Sequence, residues 1–208
     1  MTGTNFSLFL LAALVIAVIP GPGIFYVAAR TLSDGSKAGI ASTFGTAIGG
    51  LVHVIAGALG VSAIILASAE LFTALKLLGA LYLIWLGIKT FRSEGVVLDT
   101  SAVPEAASGR SFFLRGFLIG ASNPKALLFF AAFFPQFLNP ALPFAPQFAI
   151  LALTFVGFEF TVLTLYALGV SRIAPLLRAS GPMRWVNRVC GGLFTLMGGL
   201  LLLTRRHT

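Results

Sequence analysis

Pro20-Gly21-Pro22-Gly23 interrupts an apolar run that otherwise extends from Phe6 to Ala29. In water such a quartet would simply end a helix. In lipid, broken backbone has to be buried in protein or line a wet cavity, because hydrocarbon cannot hydrogen-bond the freed N–H and C=O groups. A second interruption, Asn123-Pro124-Lys125, lies inside the apolar run Phe112–Leu138. Two broken apolar runs in one short chain point to a small membrane transporter organised around the breaks.

Composition supports that class. Of 208 residues, 58% are hydrophobic and only 10% charged. At about 20 apolar residues per crossing, roughly six spans fit and no second soluble domain does. The net charge of +8 would suit a nucleic-acid partner. The basic residues, however, sit between apolar runs, as orientation signals do, so no nucleic acid is expected. A lone cysteine, Cys190, supplies neither a disulfide nor the thiol pair of a thiol carrier. The N-terminus turns apolar without a basic leader region, which favours a first span over a cleaved signal peptide. The sequence holds no metal-ligand cluster, phosphate-cradling glycine loop or nucleophile–base pairing, so no enzyme, metal or cofactor is expected.

The predicted fold is an all-α integral membrane protein of one domain, residues 1–208, with six transmembrane helices. The expected spans are Phe6–Ala29, Gly39–Ala67, Ala74–Phe91, Phe112–Leu138, Pro146–Val170 and a short Val189–Thr204. Between them lie a polar turn at Arg30, Asp34, Gly35 and Lys37, a connection at Ser68–Thr73 and a proline turn at Asn139–Pro143. Arg172–Arg188 reads as a basic loop, part of it helical along the membrane surface. Arg92–Ser111 is the one long polar stretch and reads as a cytoplasmic linker between two halves, about 1–91 and 112–208. Lys and Arg flank loops 1, 3 and 5, whereas loops 2 and 4 offer only Lys76. The positive-inside rule then puts loops 1, 3 and 5 in the cytoplasm and both termini outside. Arg205 and Arg206 in the tail run against that placement.

The halves resemble each other. Lys76, Gly79, Tyr82 and Gly87 in span 3 recur in register as Arg188, Gly191, Phe194 and Gly199 in span 6. Three spans per half force the halves to be inverted, a common plan among secondary transporters. The break in span 1 begins about 14 residues in, or about 21 Å, and that in span 4 about 11 residues in, or about 17 Å. Both fall near the midplane of a core about 30 Å thick.

The breaks suggest a binding site. Pro20 and Pro22 lack N–H groups, which frees the carbonyls of Ile16 and Val18; Pro124 frees that of Gly120. Gly23, Ile24 and Phe25 carry unpaired helix-start donors. Donors at a positive helix end suit a carboxylate and freed carbonyls suit an ammonium, while Lys125 adds a full positive charge. The candidate substrate-binding residues are Pro20, Gly21, Pro22, Gly23, Ile24, Asn123, Pro124 and Lys125, around an amino-acid zwitterion. The bland alternative is that these prolines only kink helices for packing.

Glu159, about 13 residues into span 5, is an intramembrane carboxylate and a candidate for proton coupling; a static pair with Lys125 would be its structural role. His53 lies in the series Gly45, Gly49, His53, Gly57, on a small-residue face that packs against other helices. It is a second candidate for proton coupling, or a packed histidine.

Together, Pro20-Gly21-Pro22, the glycine-spaced span 2, Gly79-Ala80-Leu81-Tyr82-Leu83 with Gly87, Asn123-Pro124-Lys125-Ala126 and Phe134-Pro135-Gln136-Phe137 resemble the LysE/RhtB exporters of bacteria. The resemblance covers nearly the whole chain. It implies a six-span inner-membrane exporter of amino acids or close derivatives, driven by the proton gradient. Family members often carry Asp or Asn directly after Pro-Gly-Pro, where this chain has Gly23, and that shifts weight to Glu159. The expected partners are an amino acid, protons and the bilayer, with a homo-oligomer left open. Sparse midplane charge favours a neutral or weakly polar substrate. Competing readings are efflux of a toxic cation, with Glu159 as ligand, and a membrane-embedded enzyme or subunit that transports nothing.

Overall fold

The computed structural model describes residues 3–94 and 108–204, and among them it holds helices and no strand. Helix α1 (Gly3–Val18) stops where Pro20 and Pro22 withdraw two N–H donors, and α2 (Pro22–Asp34) restarts with Pro22 in its first turn. The two are bent by 48°. Gly35, at φ +84°, turns the chain into α3 (Ser36–Ala67). Arg30 therefore lies inside a helix and not in the expected polar turn. It is 1% exposed.

The expected connection Ser68–Thr73 shrinks to one residue. Ser68 caps α4 (Ala69–Phe91), its hydroxyl accepting from the N–H groups of Glu70 and Leu71. A serine at this position satisfies orphan donors that six residues of loop would otherwise leave to water. Of the expected linker Arg92–Ser111, residues 95–107 lie outside the described residues, as do Arg205 and Arg206. Ser108 then caps α5 (Gly109–Ala121).

The second break falls at Ser122 and Asn123, before α6 (Pro124–Leu128). A π-helical turn, Phe129–Phe133, and a 3-10 turn, Phe134–Phe137, complete the expected fourth span in pieces. At the following proline turn, Gln147 donates to the carbonyls of Asn139, Leu142 and Pro143 and accepts from the Asn139 N–H.

Helix α7 (Phe144–Arg178) carries Pro175 within it, and α8 (Ser180–Thr204) begins after a single intervening residue. The expected basic loop Arg172–Arg188 is thus the end of one helix and the start of the next, and the last span is longer than Val189–Thr204. Charge marks where a helix leaves lipid, not where it ends. Among the described residues, four helices are long and apolar enough to cross a membrane, five if the bent α1–α2 pair is one span. Their outer faces carry many exposed large apolar residues, such as Leu59, Leu66 and Leu153, a surface that suits lipid.

Glycines set the closest helix contacts. A Cβ at Gly49 of α3 would meet the Phe117 carbonyl oxygen and come within 2.8 Å of the Ala121 nitrogen of α5. A Cβ at Gly116 of α5 would come within 2.6 Å of the Ser42 carbonyl oxygen of α3. The expected stripe on α3 is therefore answered by Gly116 and Gly120 on α5, and the two backbones all but touch. Likewise α4 packs on α8, with a Cβ at Gly87 reaching within 2.6 Å of the Thr195 nitrogen.

Candidate functional site

Both breaks and the membrane carboxylate meet at one cavity. Gly21, Gly23 and Ile24 from the first break, Asn123 and Ala126 from the second, and Glu159 from α7 line it, with Ile16, Ala17, Phe155 and Leu163. About 20 Å³ is open to the centre of a water-sized sphere. That is room for about one water and not for an amino acid.

Each wall has a local cause. Gly21, the residue before α2, is extended (φ −149°, ψ −174°), so the chain crosses the cavity wall as open backbone. A Cβ at Gly23 would come within 2.9 Å of the Thr46 methyl, so Thr46 fills the space a larger residue would claim. Glu159 is half-buried, and its Oε2 lies against Gly50 of α3. A larger residue at 50 would push the carboxylate away.

Three expected backbone groups have partners. The Phe25 N–H donates to the Gly21 carbonyl at 2.9 Å, a first helical bond that spans the break. The Val18 carbonyl lies 3.4 Å from the Tyr166 hydroxyl. The Gly120 carbonyl accepts from the Asn123 N–H at 3.2 Å. Proline removes one donor, but a neighbouring hydroxyl or the next free N–H takes its place. An ammonium group at this site therefore falls to Glu159 more than to freed carbonyls.

The prolines themselves face elsewhere. Pro20 and Pro124 line a second, larger cavity of about 340 Å³, with Ile19, Tyr82, Trp85, Lys89 and Asn187 among its walls. The breaks are thus a shared wall, glycine and asparagine on one face and proline on the other. Trp85 of α4 borders this second cavity. Nothing in its sequence neighbourhood signals that, because the facing walls come from the two breaks (Ile19, Pro20 and Pro124) and from Met183 and Asn187 of α8. The side chain of Lys125 lies outside the described side chains.

His53 is not at the first cavity. It is buried, its Nδ1 has no hydrogen-bond partner among the described residues, and it lines a separate pocket with Gly57, Leu127 and Phe130. It nevertheless follows Gly50, the residue against the Glu159 carboxylate, by one turn of α3.

Aromatic rings close one side of the site. Phe155, a cavity wall, stacks on Phe129 with centroids 4.5 Å apart and meets Phe130 edge-on at 5.1 Å. Phe129 in turn lies against Phe9, Phe133 and Phe134. Such pairs add about 0.5–1.5 kcal/mol each beyond the area they bury. The π-helical turn sits in this plug; irregular turns of this kind often mark functional positions.

Two interrupted helices and a carboxylate around one small cavity, inside a bundle of membrane-length apolar helices, define a multi-pass transmembrane transporter. Comparison with known proteins agrees. The chain matches the family described as LysE type translocator over residues 14–205 and belongs to it. It is 32% identical to a homoserine/homoserine lactone efflux protein of Salmonella typhimurium over 197 residues, 95% of each chain. It is also 32% identical to a leucine efflux protein of Klebsiella pneumoniae over 169 residues, 80% of this chain and 79% of the relative. An uncharacterized membrane protein of Vibrio cholerae shows 32% identity over 95% of this chain and 96% of its own. No solved structure matches.

Proposed function

We propose that this protein exports neutral or weakly polar amino acids, or close derivatives, across the bacterial inner membrane in exchange for protons. The observation that carries this reading is the meeting of Glu159 with both helix breaks at a single cavity. One carboxylate can hold a substrate ammonium or a proton, and not both at once. Competition for it couples the two fluxes in opposite directions. The relatives named for efflux of homoserine, its lactone and leucine support an uncharged or small polar side chain on the substrate.

The substrate sits between Gly21, Gly23 and Ile24 on one side and Asn123 on the other, with Pro20, Pro22 and Pro124 holding the breaks open and Lys125 adding positive charge. His53, one turn of α3 beyond the Gly50 that the Glu159 carboxylate lies against, is a secondary proton site. The bundle has six spans in two inverted halves, the fourth being the broken α5–α6 segment. The packing of α4 on α8, the two elements that share a sequence pattern, supports that plan. The basic ends face the cytoplasm.

Alternating access fits the closure. A cavity with room for one water is an occluded site, sealed by the phenylalanine plug on one side. Opening needs the plug, or the wall of prolines, to move.

Uptake of radiolabelled leucine and homoserine into inverted vesicles tests this reading. An acidic lumen is expected to drive accumulation. Glu159→Gln is expected to abolish pH-driven uptake and, because the same carboxylate holds the ammonium, to weaken leucine–leucine exchange. Full pH-driven uptake in that variant would remove Glu159 from coupling.

A further inference from the structure

The larger cavity carries an inference that rests on the transport reading and deepens it. We propose that it is a staging site that reads the substrate's carboxylate through Lys89 before the ammonium reaches Glu159.

Charge divides the two cavities. Lys89 is the one charged side chain among the described residues that line the larger one, and Glu159 is the one charged side chain among those that line the smaller. Lys89 meets no carboxylate among the described residues; its ammonium lies 4.8 Å from the centroid of the Trp85 ring. That contact holds the cation at the cavity wall and leaves its hydrogen-bond donors unspent on any anion.

The remaining walls suit an amino acid. Asn187 of α8 is a buried amide able to donate and accept, and Thr90 and Ser93 add hydroxyls. Tyr82 and Trp85, with rings 5.5 Å apart, offer an apolar face for a side chain. At about 340 Å³ the cavity falls in the range of small-molecule pockets, about 300–1,000 Å³.

Position gives the order of events. Along α4 the lining residues run from Tyr82 to Thr90, about 12 Å of helix, and Pro20 and Pro124 form the inner wall. Lys89 and Arg92 stand at the basic end of the bundle. A substrate arriving there meets a cation first and a carboxylate only after the proline wall. The two ends of a zwitterion are thus recognised in turn, and a carboxyl-blocked compound skips the first step.

The test uses the full chain in lipid nanodiscs, with Trp185→Phe leaving Trp85 as the only tryptophan. Leucine is expected to change Trp85 emission in this protein, and equally with Glu159→Gln added. Lys89→Gln is expected to weaken the leucine response at least tenfold and Lys89→Arg to restore most of it. Leucinamide, which lacks the carboxylate, is expected to respond identically with Lys89 or Gln at this position. Absence of any leucine response, or equal losses for leucine and leucinamide in Lys89→Gln, would overturn the proposal. Binding here is read without transport. Proteins that bind leucine through Lys89 but carry none across vesicles would sink the export reading and leave this site standing.

Discussion

The Glu159 carboxylate occupies the space that a side chain at Gly50 would need: a Cβ there would stand 3.1 Å from Oε2. The contact ties the carboxylate on α7 to the absence of a side chain on α3. A carboxylate at the end of a flexible side chain can retreat by a few tenths of an ångström, so Gly50→Ala is expected to fold normally. The adjoining cavity has little spare volume, and the displaced group then intrudes on the substrate. The expected result is a several-fold rise in apparent KM for leucine in inverted vesicles, with pH-driven uptake retained. Gly50→Val, branched at Cβ, is expected to abolish uptake. A KM unchanged in the valine variant would mean that Glu159 does not sit where substrate binds.

Helix packing allows a contrast between two glycines of the same helix. Gly49 faces α5 so closely that any Cβ meets backbone, which cannot rotate away, whereas Gly60 has no neighbour within 4 Å of where its Cβ would be. Gly49→Ala must push α3 and α5 apart and is expected to cost about 1–3 kcal/mol, as overpacking does. Gly60→Ala is expected to be neutral or slightly stabilising, since alanine favours helix. Melting of the two purified variants in detergent measures the difference. Equal shifts would mean that the glycine stripe is not what sets the α3–α5 distance.

These contacts also show what can be read from a chain of this kind. The breaks are visible in sequence because proline lacks a donor wherever it stands, and Glu159 is visible because a carboxylate in an apolar run is rare. That they share a cavity is a matter of three-dimensional packing, since Gly21, Asn123 and Glu159 are far apart in the chain. The stripe Gly45–Gly49 is legible by its spacing; its partner Gly116–Gly120 is equally regular but lies next to the more conspicuous Asn123-Pro124. Partners for the Val18 and Gly120 carbonyls escape the reading, because proline chemistry predicts which groups are freed and not which hydroxyl or N–H comes to them. The basic stretch 172–188 misleads for a different reason. A helix is free to run past the bilayer into water, so arginines there report the edge of the lipid and say nothing about the backbone.

Arg30 is the sharpest case of a charge whose setting its sequence neighbours conceal. Its Nη1 lies 2.9 Å from Asp34 Oδ2, and its guanidinium carbon lies 5.6 Å from the centroid of the Phe112 ring of α5. Nε and Nη2 are buried without a hydrogen-bond partner among the described residues. The pair is lopsided: the arginine side chain is 2% exposed and the aspartate 29%. Removing either partner therefore has unequal effects. Asp34→Asn strands a buried cation, and breaking a buried pair in that way costs about 3–5 kcal/mol. Arg30→Met removes the buried charge, keeps most of the volume against Phe112, and leaves an aspartate that reaches solvent, so a change of about 1 kcal/mol or less is expected. The double variant is expected to recover most of what Asp34→Asn alone loses. Thermal melting of the three proteins in detergent gives the order, and an Arg30→Met protein less stable than Asp34→Asn would show that the guanidinium is held by contacts stronger than its one ionic partner and the Phe112 ring.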